Sequence, residues 1–238
     1  MRPFTLSARL GTVADLVPEG ARFADIGTDH AYLPVWLLLH GVISHAIVTD
    51  LNPGPLQRAR QTAQRYGRTG QMSFRLGDGL DCLQPEEADT IAIAGMGGET
   101  IADILAAAPW TRLGAYRLLL QPMSALDDLR RWLTGHGYCI QSERLCMDGG
   151  TRYTVLCAAP GEMAPLTPAE CWAGRQTPGM DAPLRGALLE DLLRRASRAL
   201  EGIRQSARPE DAPRRMELEQ VYEGLLEMKK EWDTWQQS

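Results

Sequence analysis

The chain has little of what would settle its class at once. Its cysteines are five, at positions 82, 139, 146, 157 and 171, and no two stand in C-x-x-C spacing. An odd, scattered set argues against a disulfide framework and against a thiolate-bound metal, and fits buried free thiols in a reducing compartment. No metal is expected. No apolar run, that at residues 35–39 included, exceeds five residues, far too short to span a bilayer. The opening MRPFTLSARLGTVADL is interrupted by Arg9 and Asp15 and has no continuous apolar signal core. A cytoplasmic protein without a membrane partner is expected, with a monomer as the favoured form. Charge of neither sign dominates: the formal net charge is −5, so overall charge does not point to nucleic acid. A G-x-G-x-x-G dinucleotide fingerprint is also missing, because Asp29 stands where its second glycine would be.

What is present is a regular alternation. The 238 residues are 44% hydrophobic, enough for one α/β core and a smaller appendage. Apolar spacing predicts a helix over 5–17, then strands at 23–26, 46–49, 72–76, 90–94 and 116–120. Helices are predicted between them at 31–40, 54–66, 98–107 and 124–135. Two further strands, 138–145 and 152–158, follow without a helix and are joined by Asp148-Gly149-Gly150 as a hairpin. Strands alternating with helices require a mainly parallel sheet covered on both faces, here with one antiparallel strand from the hairpin. The fold class is therefore α/β, a Rossmann-like seven-stranded sheet of the class I methyltransferase type.

Composition changes after Ala159. Residues 160–183 contain five prolines and read as a linker with one short helix at most. From Leu184, Leu189, Leu192, Ala196, Ala199 and Ile203 form one stripe. Leu218, Val221, Leu225, Met228, Trp232 and Trp235 form a second, beyond a break at 208–213. These predict an antiparallel helical hairpin of coiled-coil type. The expected domains are 1–159, a linker at 160–183, and the hairpin at 184–238.

The residues that carry chemistry stand at successive strand ends. Asp25 and Gly27 close the first strand, in Ala24-Asp25-Ile26-Gly27-Thr28-Asp29-His30-Ala31-Tyr32. A glycine there lets a ligand approach backbone at the carboxyl edge of the sheet. Asp29 would repel a pyrophosphate but tolerates a cationic sulfonium amino acid. Asp50 ends the second strand, where an acid accepts ribose hydroxyls; a helix cap is the other reading. Asp78, between Gly77 and Gly79, follows the third and can accept an adenine amine; a turn aspartate is the other reading. Ala94, Gly95, Met96, Gly97 and Gly98 follow the fourth, where glycines let a flat base lie against backbone. Gln121 and Pro122 close the fifth and can complete the pocket wall, or Gln121 can be a cap. Three acids at three successive strand ends favour a cofactor site over three unrelated turns.

Local charge adds a surface. Arg58, Arg60, Arg65, Arg68 and Arg75 fall in 57–75 without an acid, and 185–215 holds eight arginines against five acids. Both stretches can grip phosphates, Arg58 and Arg65 in particular, although such runs are usually solvated helix faces.

The motifs ADIGTDHAYLP, IAGMGG at 93–98, LQP at 120–122 and LSARL at 6–10 together resemble the TrmK family of bacterial tRNA methyltransferases. The resemblance covers about residues 5–158. It implies S-adenosyl-L-methionine as cofactor, tRNA as partner, methylation of N1 of adenine 22, and a C-terminal coiled-coil domain. The family pattern would place glutamate at Asp50 and asparagine at Met123. On this reading Asp25, Gly27, His30, Asp50, Gly77, Asp78, Gly79, Ala94 and Gly95 hold the cofactor. Asp29, Tyr32, Gly95 and Met96 serve the reaction: Asp29 offsets the charge of the methylated ring or meets the cofactor amine, and Tyr32 stacks on the base. Gly97, Gly98, Gln121, Pro122, Arg58 and Arg65 meet the substrate. The alternatives are a methyltransferase of small molecules and a noncatalytic RNA-binding protein on the same fold.

Overall fold

The computed structural model describes residues 4–205 and 208–237. Seven strands form one sheet in the order β3-β2-β1-β4-β5-β7-β6. They are β1 (Phe23–Ile26), β2 (Ala46–Asp50), β3 (Met72–Leu76), β4 (Thr90–Gly97), β5 (Arg117–Ser124), β6 (Tyr138–Asp148) and β7 (Thr151–Pro160). All neighbours from β3 to β5 pair in parallel, and β7 alone runs against both β5 and β6. Chain order reverses between β1 and β4. In open α/β sheets that reversal opens a crevice at the carboxyl ends of the strands.

The helices are α1 (Ala8–Ala14), α2 (Tyr32–Leu39), α3 (Pro53–Arg65), α4 (Gly98–Ala107) and α5 (Leu126–Gly135), followed by α6 (Pro168–Ala173), α7 (Arg185–Arg204) and α8 (Ala212–Trp235). Helix α1 is shorter than the apolar spacing predicts, because the Ser7 side chain accepts the Leu10 N–H and so starts the helix there. One core joins Val13, Val35, Leu37, Val48 and Ala63 with Ala92 and Leu119. By strand alternation Ile91, Ile93, Leu118 and Leu120 face the opposite layer, and α4 packs on β4 and β5.

Two compact units divide the chain. The first holds residues 1–125 and 132–163, the second 126–131 and 164–238. In the second, Lys229 lies near Glu190 and Arg204 near Glu219, so α7 and α8 run antiparallel. Their seam buries Leu189, Leu192, Ala196 and Leu200 against Leu218, Val221, Leu225, Met228 and Trp232. Leu200 takes the inner position that the sequence reading gives to Ala199. Helix α8 begins at Ala212, before Pro213, because proline is tolerated in a first turn.

Where the sequence reads a linker, α6 is part of this second core. Ala169 and Ala173 are buried with α7 and α8. A Cβ on Gly224 would fall 2.6 Å from that of Ala169, so the glycine is what lets α6 sit against α8. Thr167 and Glu170 form a reciprocal capping box that starts it. It is the one short helix that the sequence reading allows in 160–183.

Candidate functional site

The loop between β1 and α2 is built from unusual backbone. Gly27 has φ +69°, and the non-glycine residues Asp29 and Ala31 also have positive φ, 45° and 55°. Two such residues in three positions store strain of about 1–2 kcal/mol each, a cost usually met at functional sites. The Thr49 carbonyl accepts the Gly27 N–H at 2.9 Å and the Thr28 N–H at 3.0 Å, so β2 holds the loop down. A Cβ on Gly27 would lie 1.9 Å from the Met96 Cε. The glycine therefore makes room for the Met96 side chain arriving from β4.

β4 runs further than the sequence suggests. Its glycines were read as a stop, yet pairing with β5 continues to Gly97 through two register shifts. The irregularity lifts Gly95, at φ +85°, out of the ladder. Its N–H finds the Gln121 Oε1 at 3.1 Å instead. Gln121 is wholly buried and stands behind the wall of the site.

A cavity of about 680 Å³ opens at the carboxyl ends of β1 to β4. That is the size of a ligand pocket rather than of a packing void. Gly27, Asp29, Asp50, Gly77, Asp78, Gly79, Ala94, Gly95 and Met96 all line it. The strand ends thus bring together nine of the residues singled out in the sequence. The walls also carry Asp81 and Asp103, which the sequence analysis does not single out. With Asp29, Asp50 and Asp78 they make five acids, and among the described residues no lysine, arginine or histidine lines the cavity. Such walls favour a cationic ligand and disfavour a phosphate. Asp25 lies behind them at 6% exposure and accepts the Thr28 hydroxyl at 2.5 Å. Burial pushes its carboxyl up to about 6; the Thr28 bond opposes the shift and the nearby Asp50 adds to it. Asp50 also accepts the Asn52 N–H at 2.9 Å.

Other singled-out residues lie outside the cavity walls. His30 stacks on Tyr32, ring centroids 5.1 Å apart, and Phe4 sits 5.9 Å away on a tilt. Tyr32 remains 44% exposed, a surface ring rather than core. Gly97 and Gly98 start α4, and a Cβ on Gly98 would strike the Ala125 carbonyl at 2.3 Å, so that glycine serves close packing. Pro122 is buried. Arg58 is committed to Asp29: its Nε donates to Oδ1 at 3.1 Å and a second nitrogen binds the same oxygen. The basic stretch is accordingly less free than its composition implies. Arg75 forms a bidentate pair with Glu87 at 2.6 and 2.7 Å, which holds the Glu87 carboxyl down at about 2. Arg60 stacks on Phe74, while Arg65 is exposed. Among the described residues no helix is long and apolar enough to cross a membrane.

Comparison with known proteins agrees with this geometry. A methyltransferase domain family matches residues 6–156. The tRNA (adenine(22)-N(1))-methyltransferase of Bacillus subtilis (strain 168) is 41% identical over 162 residues, 68% of each chain. The chain belongs to the TrmK family. The solved B. subtilis TrmK superposes with a TM-score of 0.85 at 33% identity, covering 95% of this chain and all of that one. TrmK of M. capricolum, solved with the cofactor product S-adenosyl-homocysteine, has a TM-score of 0.76 at 25% identity, covering 94% of this chain and 98% of that one. The TrmK likeness thus extends past the catalytic unit, since 95% coverage must include α7 and α8.

Proposed function

We propose that this chain methylates N1 of adenine 22 in tRNA with S-adenosyl-L-methionine as methyl donor. One observation carries the reading: the cavity at the β1–β4 edge is walled by acids, floored by glycines, and opens beside the lifted Gly95. The donor set suits the cofactor. Asp50, at the end of β2, is placed to accept ribose hydroxyls, and Asp78, after β3, to accept the adenine amine. The Ala94–Gly95 backbone borders the space for the sulfonium end. When bound, the cofactor supplies an electrophilic methyl group.

The chain's own task is alignment, because adenine N1 has a free lone pair and needs no strong base before attack. Gly95 and Met96 border the place where the base meets the methyl group. Tyr32, backed by His30, offers an exposed ring for the base to stack on once it leaves its own stack. Asp29 is already paired with Arg58, so its field on the cationic product is partly cancelled. Its role is better read as fixing the loop and facing the cofactor amine. Arg65 remains available to a tRNA phosphate.

The test is nucleoside mass spectrometry of unmodified tRNA incubated with protein and cofactor. 1-Methyladenosine should form on tRNA with adenine at position 22 and not on the same tRNA with guanine there. Methyl transfer to both, or to neither, would reject the assignment.

A further inference from the structure

Helix α1 carries a cation where a helix disfavours one. Arg9 is its second residue, inside the first turn, whose free N–H groups make that end positive. Its backbone N–H donates to the Asp148 carboxylate at 3.3 Å, which fixes the helix start to the β6–β7 turn. Its guanidinium reaches the ends of β4 and β5. One nitrogen donates to Gln121 Oε1, the same oxygen that holds the Gly95 N–H. That nitrogen also lies 3.5 Å from where a Cβ on Gly95 would stand. The Tyr153 ring supports the group, its centroid 5.8 Å from the guanidinium carbon.

Among the described residues no carboxylate completes this arrangement. Asp148 meets the backbone, and Gln121 is the one hydrogen-bond partner of the side chain among the described residues. Arg58, Arg75 and Arg131 are each paired with an acid instead. A guanidinium has five donors in a planar fork, and a single amide oxygen leaves most of them unused. Among the described residues the nearby cavity walls hold five acids and no cationic side chain to meet a negative group on a bound reactant.

We propose that Arg9 is the oxyanion anchor of this site, aimed by Gln121 and Tyr153 at a carboxylate or phosphate group beside Gly95. The inference rests on the methyltransferase reading, which provides two sources of such a group: the carboxylate at the amino-acid end of the cofactor, and a phosphate of the RNA.

Calorimetry separates them. S-adenosyl-homocysteine carries the carboxylate; 5′-methylthioadenosine is the same nucleoside thioether without the amino acid. If Arg9 takes the carboxylate, Arg9→Ala weakens S-adenosyl-homocysteine about tenfold and leaves methylthioadenosine unchanged, and Arg9→Lys restores part of the loss. If it takes a phosphate, both nucleosides bind as before. The KM for tRNA then rises about tenfold with kcat within about twofold, and the salt dependence of tRNA binding loses about one unit of slope. Arg9→Gln, which keeps a donor for Gln121, gives the same readout if the alanine variant melts early.

The anchor is overturned if affinity for S-adenosyl-homocysteine and KM for tRNA both stay within about twofold of wild type. It is equally overturned if both nucleosides weaken alike, since Arg9 then only props the Gly95 wall. Wild-type protein that binds neither nucleoside would end the methyltransferase reading itself, a separate failure.

Discussion

The two units bury charge in opposite ways. Among the described residues of the catalytic unit the buried charged groups are acids: Asp25 and Asp50 sit at strand ends, each accepting one hydrogen bond and close to one another. In the helical unit they are arginines, and their donors are spent on backbone. Arg130 donates to the carbonyls of Cys171 and Trp172 at 2.8 and 3.0 Å. Arg185 donates to those of Ala173 and, at 2.7 Å, Gly174. These oxygens belong to the last turn of α6 and the residue after it, where a helix has no donors of its own. A buried charge that supplies donors to the last carbonyls of a helix holds structure. A buried carboxyl raised by burial beside a cavity is the pattern of functional sites rather than of structural ones.

The largest effect that would sharpen this contrast is Arg185→Met. Two buried carbonyls would lose their donor, and at about 1–3 kcal/mol for each the helical unit should lose on the order of 4 kcal/mol. Denaturant melts should show this loss with cofactor affinity intact. A variant as stable as wild type would mean that the arginine is not structural.

The acids should behave in reverse. Because the Asp25 carboxyl is raised to about 6 from an ordinary 3.8, the folded state holds this proton more tightly than the unfolded one. Between pH 4 and 6 the unfolded chain therefore binds fewer protons, and the contribution of Asp25 to stability falls as pH rises. Above pH 6 the full difference, about 3 kcal/mol, is lost. Asp25→Asn should flatten this part of the pH–stability curve, raise stability at pH 7.5, and weaken cofactor binding. Melting temperatures across pH 4.5–7.5 check it; a variant less stable than wild type at neutral pH would contradict the picture.

Asp50→Asn is the milder case. Asparagine can still accept the Asn52 N–H, so the loop should hold. Two hydrogen bonds to ribose would become neutral rather than charge-assisted, at roughly 1 kcal/mol each, or about 30-fold in cofactor affinity by calorimetry. An unchanged affinity would remove Asp50 from the site.

Legibility followed the same division. Strand ends were readable because an acid and a glycine at the carboxyl edge of a β–α turn have few reasons to recur, as Asp25-Gly27, Asp50 and Gly77-Asp78-Gly79 do. The hairpin was readable from its heptad spacing. What could not be read depends on distance through space. Nothing in local sequence says that Glu87 captures Arg75, that Gln121 turns back to serve Gly95, or that Gly224 is a seat for Ala169. β4 was cut short because glycine ordinarily ends a strand, and only the β5 side chain that satisfies the lifted amide lets it continue. α6 is the one short helix that the sequence reading allows in 160–183, but its place in the second core was not legible.

The smallest predicted effect tests whether the basic stretch belongs with the ligand-facing or the structural charges. Composition treats Arg65 and Arg75 alike, but Arg75 is locked to Glu87 and the Cys82 carbonyl, while Arg65 is exposed on α3. Only a charge that can exchange its counterions for RNA phosphates contributes to the salt slope of binding. Arg65→Ala should therefore weaken tRNA binding about two- to threefold and lower that slope by up to about one unit. Arg75→Gln should leave the slope unchanged and instead cost at most about 1 kcal/mol of stability, as for a partly exposed ion pair. Filter binding at several salt concentrations, with a melt for each variant, separates the two. If Arg75→Gln changes the slope and Arg65→Ala does not, the Glu87 pair opens for RNA, and the division between structural and ligand-facing charge fails within this unit.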